Sequence, residues 1–151
     1  LLITREFGST VLLGALVLCD EVNSYDAPYE GVGCGECRRC IDACPNRAIG
    51  EQRMIDSRRC ISRLTIEREA IVPEGCGLHG WAFGCEECQN VCPHNHSKPL
   101  AVHPAIVPMF DPREMTAEDW CAMSEEEFSA RFARTPMSRS GLDRIIAAIC
   151  D

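Results

Sequence analysis

Cys34-Gly-Glu-Cys37-Arg-Arg-Cys40-Ile-Asp-Ala-Cys44-Pro45 is the stretch on which the reading of the chain turns. The spacing C-x2-C-x2-C-x3-C-P lets three thiolates on one tight loop meet three corners of a 4Fe-4S cube, and Gly33 and Gly35 allow the backbone to come close. Cys44 stands four residues past Cys40, about 6 Å further on if the residues between are helical, and a fourth cysteine so displaced serves a second cluster. Pro45 ends the turn. The second cluster then needs three more thiolates, and one further thiolate must cross back to the first. Cys85-x2-Cys88-x3-Cys92-Pro93 repeats the latter half of the motif and supplies them. Spacing therefore assigns Cys34, Cys37, Cys40 and Cys92 to one cluster. It assigns Cys44, Cys85 and Cys88 to the other, completed by Cys60 in its charge-rich, helix-like setting or by Cys76 between Gly75 and Gly77.

Zinc is a poorer reading of these thiols, because zinc sites use two separated C-x2-C pairs and need neither a third cysteine three residues on nor a proline after it. A disulfide scaffold is poorer still: 12 cysteines in 151 residues is a high density, but this chain is long enough to bury an ordinary core. The cysteines outside the two sets, Cys19, Cys121, Cys150 and whichever of Cys60 and Cys76 is left over, read as buried free thiols.

The rest of the composition narrows the class. The longest apolar run, Val11 to Cys19, is about half of what a bilayer requires and is expected to be a buried strand, so no membrane span is expected. A net charge of -8 argues against indiscriminate nucleic-acid binding. The opening Leu1 runs straight into an apolar stretch, which reads as the inside of a longer protein. Residues 1–30 carry one arginine and five acids, residues 31–98 hold nine of the twelve cysteines, and residues 99–151 open on Pro99, Pro104, Pro108 and Pro112. Those prolines forbid a continuous helix and predict an extended, wrapping segment. Thr116 with Asp119 and Ser124 with Glu127 are capping boxes in prospect. Ser140 with Asp143 should open a third helix, striped by Leu142, Ile145, Ile146 and Ile149.

One window runs against the overall charge. Arg38, Arg39, Arg47, Arg53, Arg58, Arg59, Arg63 and Arg68 face only Asp42, Glu51, Asp56 and Glu67. Each oxidised cubane with four thiolates carries a net charge of about -2, so this excess either compensates the clusters or forms a strip that contacts RNA phosphates.

Beyond the cysteines, the block Cys60-Ile-Ser-Arg-Leu-Thr-Ile-Glu67, preceded by Asp56-Ser-Arg-Arg and followed by Phe83-Gly-Cys-Glu-Glu-Cys-Gln-Asn-Val-Cys-Pro93, resembles the epoxyqueuosine reductases, cobalamin-dependent enzymes of queuosine tRNA modification. Leu1-Leu-Ile-Thr, Phe7-Gly-Ser9 and the stretch from Phe128 to Ile149 extend the resemblance over nearly the whole chain. It implies an α+β architecture: the end of an α/β cobalamin-binding domain over 1–30, a ferredoxin-like double 4Fe-4S domain over 31–98, and the start of a helical tail over 99–151. It makes Cys60 the fourth ligand of the second cluster, places Ser62, Cys85 and Glu86 beside the corrinoid, and turns Thr65, Glu67 and Arg68 toward tRNA. The implied cofactors are two 4Fe-4S clusters and cobalamin. The implied partners are tRNA carrying epoxyqueuosine and an external electron donor, with a monomeric enzyme in the cytoplasm. No catalytic acid is expected within these residues. The sequence departs from the family at Arg63 (usually tyrosine), His94 (usually tryptophan) and Thr10 (usually aromatic). Two other readings share the cysteine pattern: a stand-alone two-cluster electron carrier, which has no use for the arginine window, and a reductive dehalogenase, whose small substrate needs no phosphate contacts.

Overall fold

A computed structural model describes residues 1–27, 31, 33–96 and 111–150. Two regions with different sources of order emerge from it. Around the cysteines the helices are single turns: α1 (Arg39–Asp42), α2 (Ile61–Ile66) and α3 (Glu87–Asn90). Helices this short do not persist in water on their own, and neither α1 nor α3 buries a residue. Only α2 has an apolar anchor, through Ile61 and Leu64. Helices α1 and α3 pack against each other, so the two copies of the cysteine motif lie side by side.

The C-terminal region is ordered by a conventional core. Helices α4 (Ala117–Ala122), α5 (Glu125–Phe132) and α6 (Leu142–Cys150) bury Trp120, Met123, Phe128, Phe132, Leu142 and Ile145 in one cluster, with Ile146 and Ile149 packed at its edge. Phe132 is fully buried, its ring 4.9 Å from that of Phe128 and 5.3 Å from that of Trp120. Both expected capping boxes form: the Thr116 N–H donates to Asp119 Oδ2 at 2.8 Å, the Ser124 N–H to Glu127 Oε2 at 2.9 Å, and each hydroxyl accepts the return bond.

Four expectations change. First, the α+β description does not hold among the described residues, where pairing is limited to isolated bridges between Thr4 and Gly8 and between Ile49 and Ile55. Second, Val11–Leu18 is neither a strand nor buried. Leu12 is 89% and Val17 95% exposed, because an extended segment needs a partner to complete its ladder and no described residue pairs with it. Third, Ser140 does not cap α6; its hydroxyl donates instead to the Thr65 carbonyl at 2.8 Å, and Gly141, at φ +85°, leads the chain into the helix. Fourth, Cys121 and Cys150 form a disulfide across the packed α4 and α6, and Cys19 is exposed. The wrapping segment expected from residue 99 onward lies largely outside the described residues, which resume at Asp111.

Truncating Phe132→Ala should cost about 3–5 kcal/mol, read as a lower denaturation midpoint for the C-terminal region. The capping bonds hold the carboxyls of Asp119 and Glu127 below their ordinary range, the backbone N–H of each cap being the largest cause. A carboxylate depressed in the folded state stabilises above its unfolded pKa and ceases to as pH falls through its folded value. The unfolding midpoint should therefore drop on acidification below the ordinary carboxylate range, and Asp119→Asn with Glu127→Gln should flatten that drop.

Candidate metal centre

Cys34, Cys37, Cys40 and Cys92 line a single cavity of about 140 Å³, walled also by Leu1, Ile3, Ile49, Ile55 and Arg53. Three of these thiols come from the first motif. The fourth arrives from the end of the second, carried there by the packing of α1 on α3. Cys92 is buried and the other three are half-buried, an enclosure suited to a group with several metal ions. Among the described residues no cluster of His, Cys, Asp or Glu is arranged to grip a single ion.

Cys44, Cys60, Cys85 and Cys88, the set expected at the other cluster, are each half-buried. Burial pushes the Cys85 thiol up, and the negative charges of Cys60, Glu87 and Cys44 push it further, while the Glu87 N–H works against them. Cys88 is raised first by burial and then by Cys85, Cys60, Cys44 and Cys40. Thiolates that repel one another at close quarters are what a bound cation relieves. Cys76 is not among the groups acting on either thiol. Cys60 takes its place as the residue before α2, where its carbonyl accepts the Leu64 N–H at 2.9 Å. The Ala48 N–H donates to Cys44 Sγ at 3.2 Å, the kind of bond that lowers the charge density on a ligating sulfur.

Two asparagines that the cysteine spacing gave no reason to single out hold the sets in register. Asn46, two residues after Cys44 and 3% exposed, donates to the carbonyls of Arg59 (3.0 Å) and Gly77 (2.9 Å) and accepts the Gly77 N–H (3.0 Å) on Oδ1, against which His79 Nε2 also lies. Asn95, three residues after Cys92, accepts the Ser9 N–H at 2.7 Å and donates to Gln89 O and Ser9 Oγ at 2.8 Å. Gly8 (φ +63°) lies so close that a Cβ there would strike Asn95 Oδ1 and the His94 carbonyl. The repetition of an asparagine just past each Cys-Pro pair was the available signal.

The residues expected to face cofactor and RNA are distributed differently. Thr65 is fully buried: its hydroxyl donates to Ile61 O and accepts the Gly84 N–H, both at 2.9 Å, which braces α2 against the residue preceding Cys85. Its side chain is an internal tie and presents nothing to a partner. Glu67 is paired with Arg139 at 2.8 Å. The Arg68 guanidinium packs over Gly141. Ser62 is half-buried, and Glu86 is exposed on a polar cleft shared with Thr10, Gln89 and Asn90.

The arginine window divides in two. Arg38 is paired with Glu51, Arg58 with Asp56 at 2.9 Å, Arg59 donates to Asn46 O at 2.9 Å, and Arg53 donates to the Gly35 and Cys37 carbonyls. These four serve the domain itself. Arg39 and Arg47 are exposed and Arg63 half-buried, with no such engagement of their guanidinium groups among the described residues.

Fold and site together define a protein domain of the double iron-sulfur type, and residues 33–95 match the family model described as a 4Fe-4S double cluster binding domain. Beyond that domain, the chain is 36% identical over 142 residues to the epoxyqueuosine reductase of Cyclobacterium marinum, covering 93% of this chain and 44% of the relative. It superposes on the epoxyqueuosine reductase of Bacillus subtilis with a TM-score of 0.75 at 29% identity, over 97% of this chain and 39% of that one. A crystal structure of epoxyqueuosine reductase with an epoxyqueuosine-modified tRNA-Tyr stem loop matches with a TM-score of 0.69 at 31% identity, over 83% of this chain and 34% of that one. The chain is thus similar to epoxyqueuosine reductases over nearly its whole length and spans less than half the length of these relatives.

The two candidates for the eighth ligand separate in one measurement. After anaerobic reconstitution with iron and sulfide, Cys60→Ala should lose about half of the roughly eight irons that two cubanes hold, while Cys76→Ala should keep them; iron per chain checks both.

Proposed function

We propose that the chain is the electron-transfer portion of an enzyme that reduces epoxyqueuosine to queuosine in tRNA. The observation that carries the reading is the cavity lined by Cys34, Cys37, Cys40 and Cys92, because a thiol from residue 92 has no reason to meet a loop at residue 34 except to complete a shared site. When bound, two 4Fe-4S clusters would supply one-electron steps and cobalamin the reduction at the epoxide.

The chain's own contribution is to hold and orient. Cys34, Cys37, Cys40 and Cys92 would ligate one cluster, Cys44, Cys60, Cys85 and Cys88 the other. With α1 packed on α3, the crossed connectivity would make a short path for electrons between the two sets. Asn46 and Asn95 fix the Cys-Pro turns, and Thr65 fixes Gly84 against α2. Ser62 and the backbone at Cys85 and Glu86 would face the corrinoid. For tRNA, the free guanidinium groups of Arg39, Arg47 and Arg63, with Arg68, are better placed to contact phosphates than Thr65 or Glu67, whose groups are already engaged. The division at residues 30 and 98 belongs to the same reading, as does a cytoplasmic, monomeric enzyme supplied by a separate electron donor. No helix among the described residues is long and apolar enough to cross a membrane.

Turnover of epoxyqueuosine tRNA by the whole protein should require cobalamin, and activity that persists in its absence would overturn the reading. Replacing Arg39, Arg47 and Arg63 together with glutamine should weaken tRNA binding and reduce the slope of log affinity against log salt by about one for each phosphate no longer neutralised. Arg58→Gln should leave that slope unchanged.

A further inference from the structure

Arg53 stands out in three independent respects. Its backbone is left-handed, at φ +60°, in a turn where its N–H donates to Gly50 O at 2.8 Å and the Gly50 N–H to Met54 O at 2.9 Å. Side-chain-bearing residues rarely adopt that conformation, and when they do the surrounding structure has a use for it. The turn joins Ile49 to Ile55, both in the wall of the first cavity, and delivers the guanidinium to the same wall. There Nη2 donates to the Gly35 carbonyl at 2.5 Å and the Cys37 carbonyl at 3.2 Å. Unlike Arg38 and Arg58, Arg53 has no carboxylate within ion-pair distance among the described residues. Its positive charge therefore stands uncompensated beside the four thiols, and Arg39 lines the same cavity.

We propose that Arg53 sets the reduction potential of the cluster held by Cys34, Cys37, Cys40 and Cys92, by bracing a fixed positive charge on two carbonyls of its binding loop. The inference rests on the cluster reading above. Reduction adds one negative charge to a group that is already anionic, and a cation held in the cavity wall favours the reduced form by Coulomb attraction. Arg53 acts through charge and loop position; it is a positioning residue and ligates nothing.

The test is a redox titration followed by electron paramagnetic resonance on the full chain, reconstituted anaerobically, as wild type, Arg53→Gln and Arg53→Lys. Wild type should hold about eight irons and titrate in two steps. Arg53→Gln should keep that iron content and lower one of the two midpoints, that of the cluster held by Cys34, Cys37, Cys40 and Cys92, while leaving the other in place. Arg53→Lys, which keeps the charge, should titrate close to wild type. An Arg53→Gln protein with both clusters present and wild-type midpoints overturns the proposal. If Arg53→Gln loses iron, Arg53→Lys decides: a wild-type first midpoint supports a charge effect, and a markedly lowered one overturns it. A wild type holding fewer than two clusters defeats the cluster reading itself, and this inference with it.

Discussion

Four thiols on one cavity wall, drawn from residues 34 to 40 and from residue 92, impose the constraint on which the first two thirds of the structure depend. The apolar side chains buried there are Ala48, Ile49, Ile61, Leu64 and Ala70, too few to hold three one-turn helices and the loops between them. Burial, and after it the neighbouring negative groups, raises the thiols of Cys85 and Cys88. Order in this region comes from satisfied polar groups in the loops and from whatever positive charge the thiols enclose. The buried amides of Asn46 and Asn95 supply the first, and the cluster reading supplies the second.

The C-terminal region answers to a different constraint. Its aromatic and aliphatic core draws on no proposed cluster ligand, and its hydrogen bonds to the rest are few and local. Ser140 reaches the Thr65 carbonyl, Arg139 pairs with Glu67, and Arg144 donates to Ala70 O. Each lands on α2 or on the residues just after it. The residue heading that helix is Cys60, so the core behind α6 supports one of the proposed ligands from a distance.

How much of this was legible in the sequence depended on whether the signal was local. The grouping of Cys34, Cys37, Cys40 and Cys92 was readable because the motif fixes which thiols share a loop and which must be displaced. Both capping boxes were readable because a box is a four-residue pattern whose partners are in sequence reach. The cap expected at Ser140 was not, since the hydroxyl had a better acceptor in Thr65, 75 residues away. Spacing alone could not decide between Cys60 and Cys76; the preference for Cys60 rests on a family resemblance. The arginine window was seen as one basic strip. Only the folded arrangement could divide it, because the choice between bracing a loop and facing solvent turns on carboxylates and carbonyls distant in sequence. Cys121 and Cys150 carried no spacing signal, and their pairing follows from α6 returning across α4.

The segment Val11–Leu18 has a consequence of a different kind. A run of exposed apolar side chains, Leu12, Leu13, Leu16, Val17 and Leu18, on backbone with no bridge partner among the described residues, is an adhesive edge. Such a stretch joins any compatible sheet offered to it, in its own protein or in a neighbouring copy, and gains a hydrogen-bonded ladder along with shelter for its leucines. A single charged residue on the exposed side of the segment would be the most economical way to keep it dispersed.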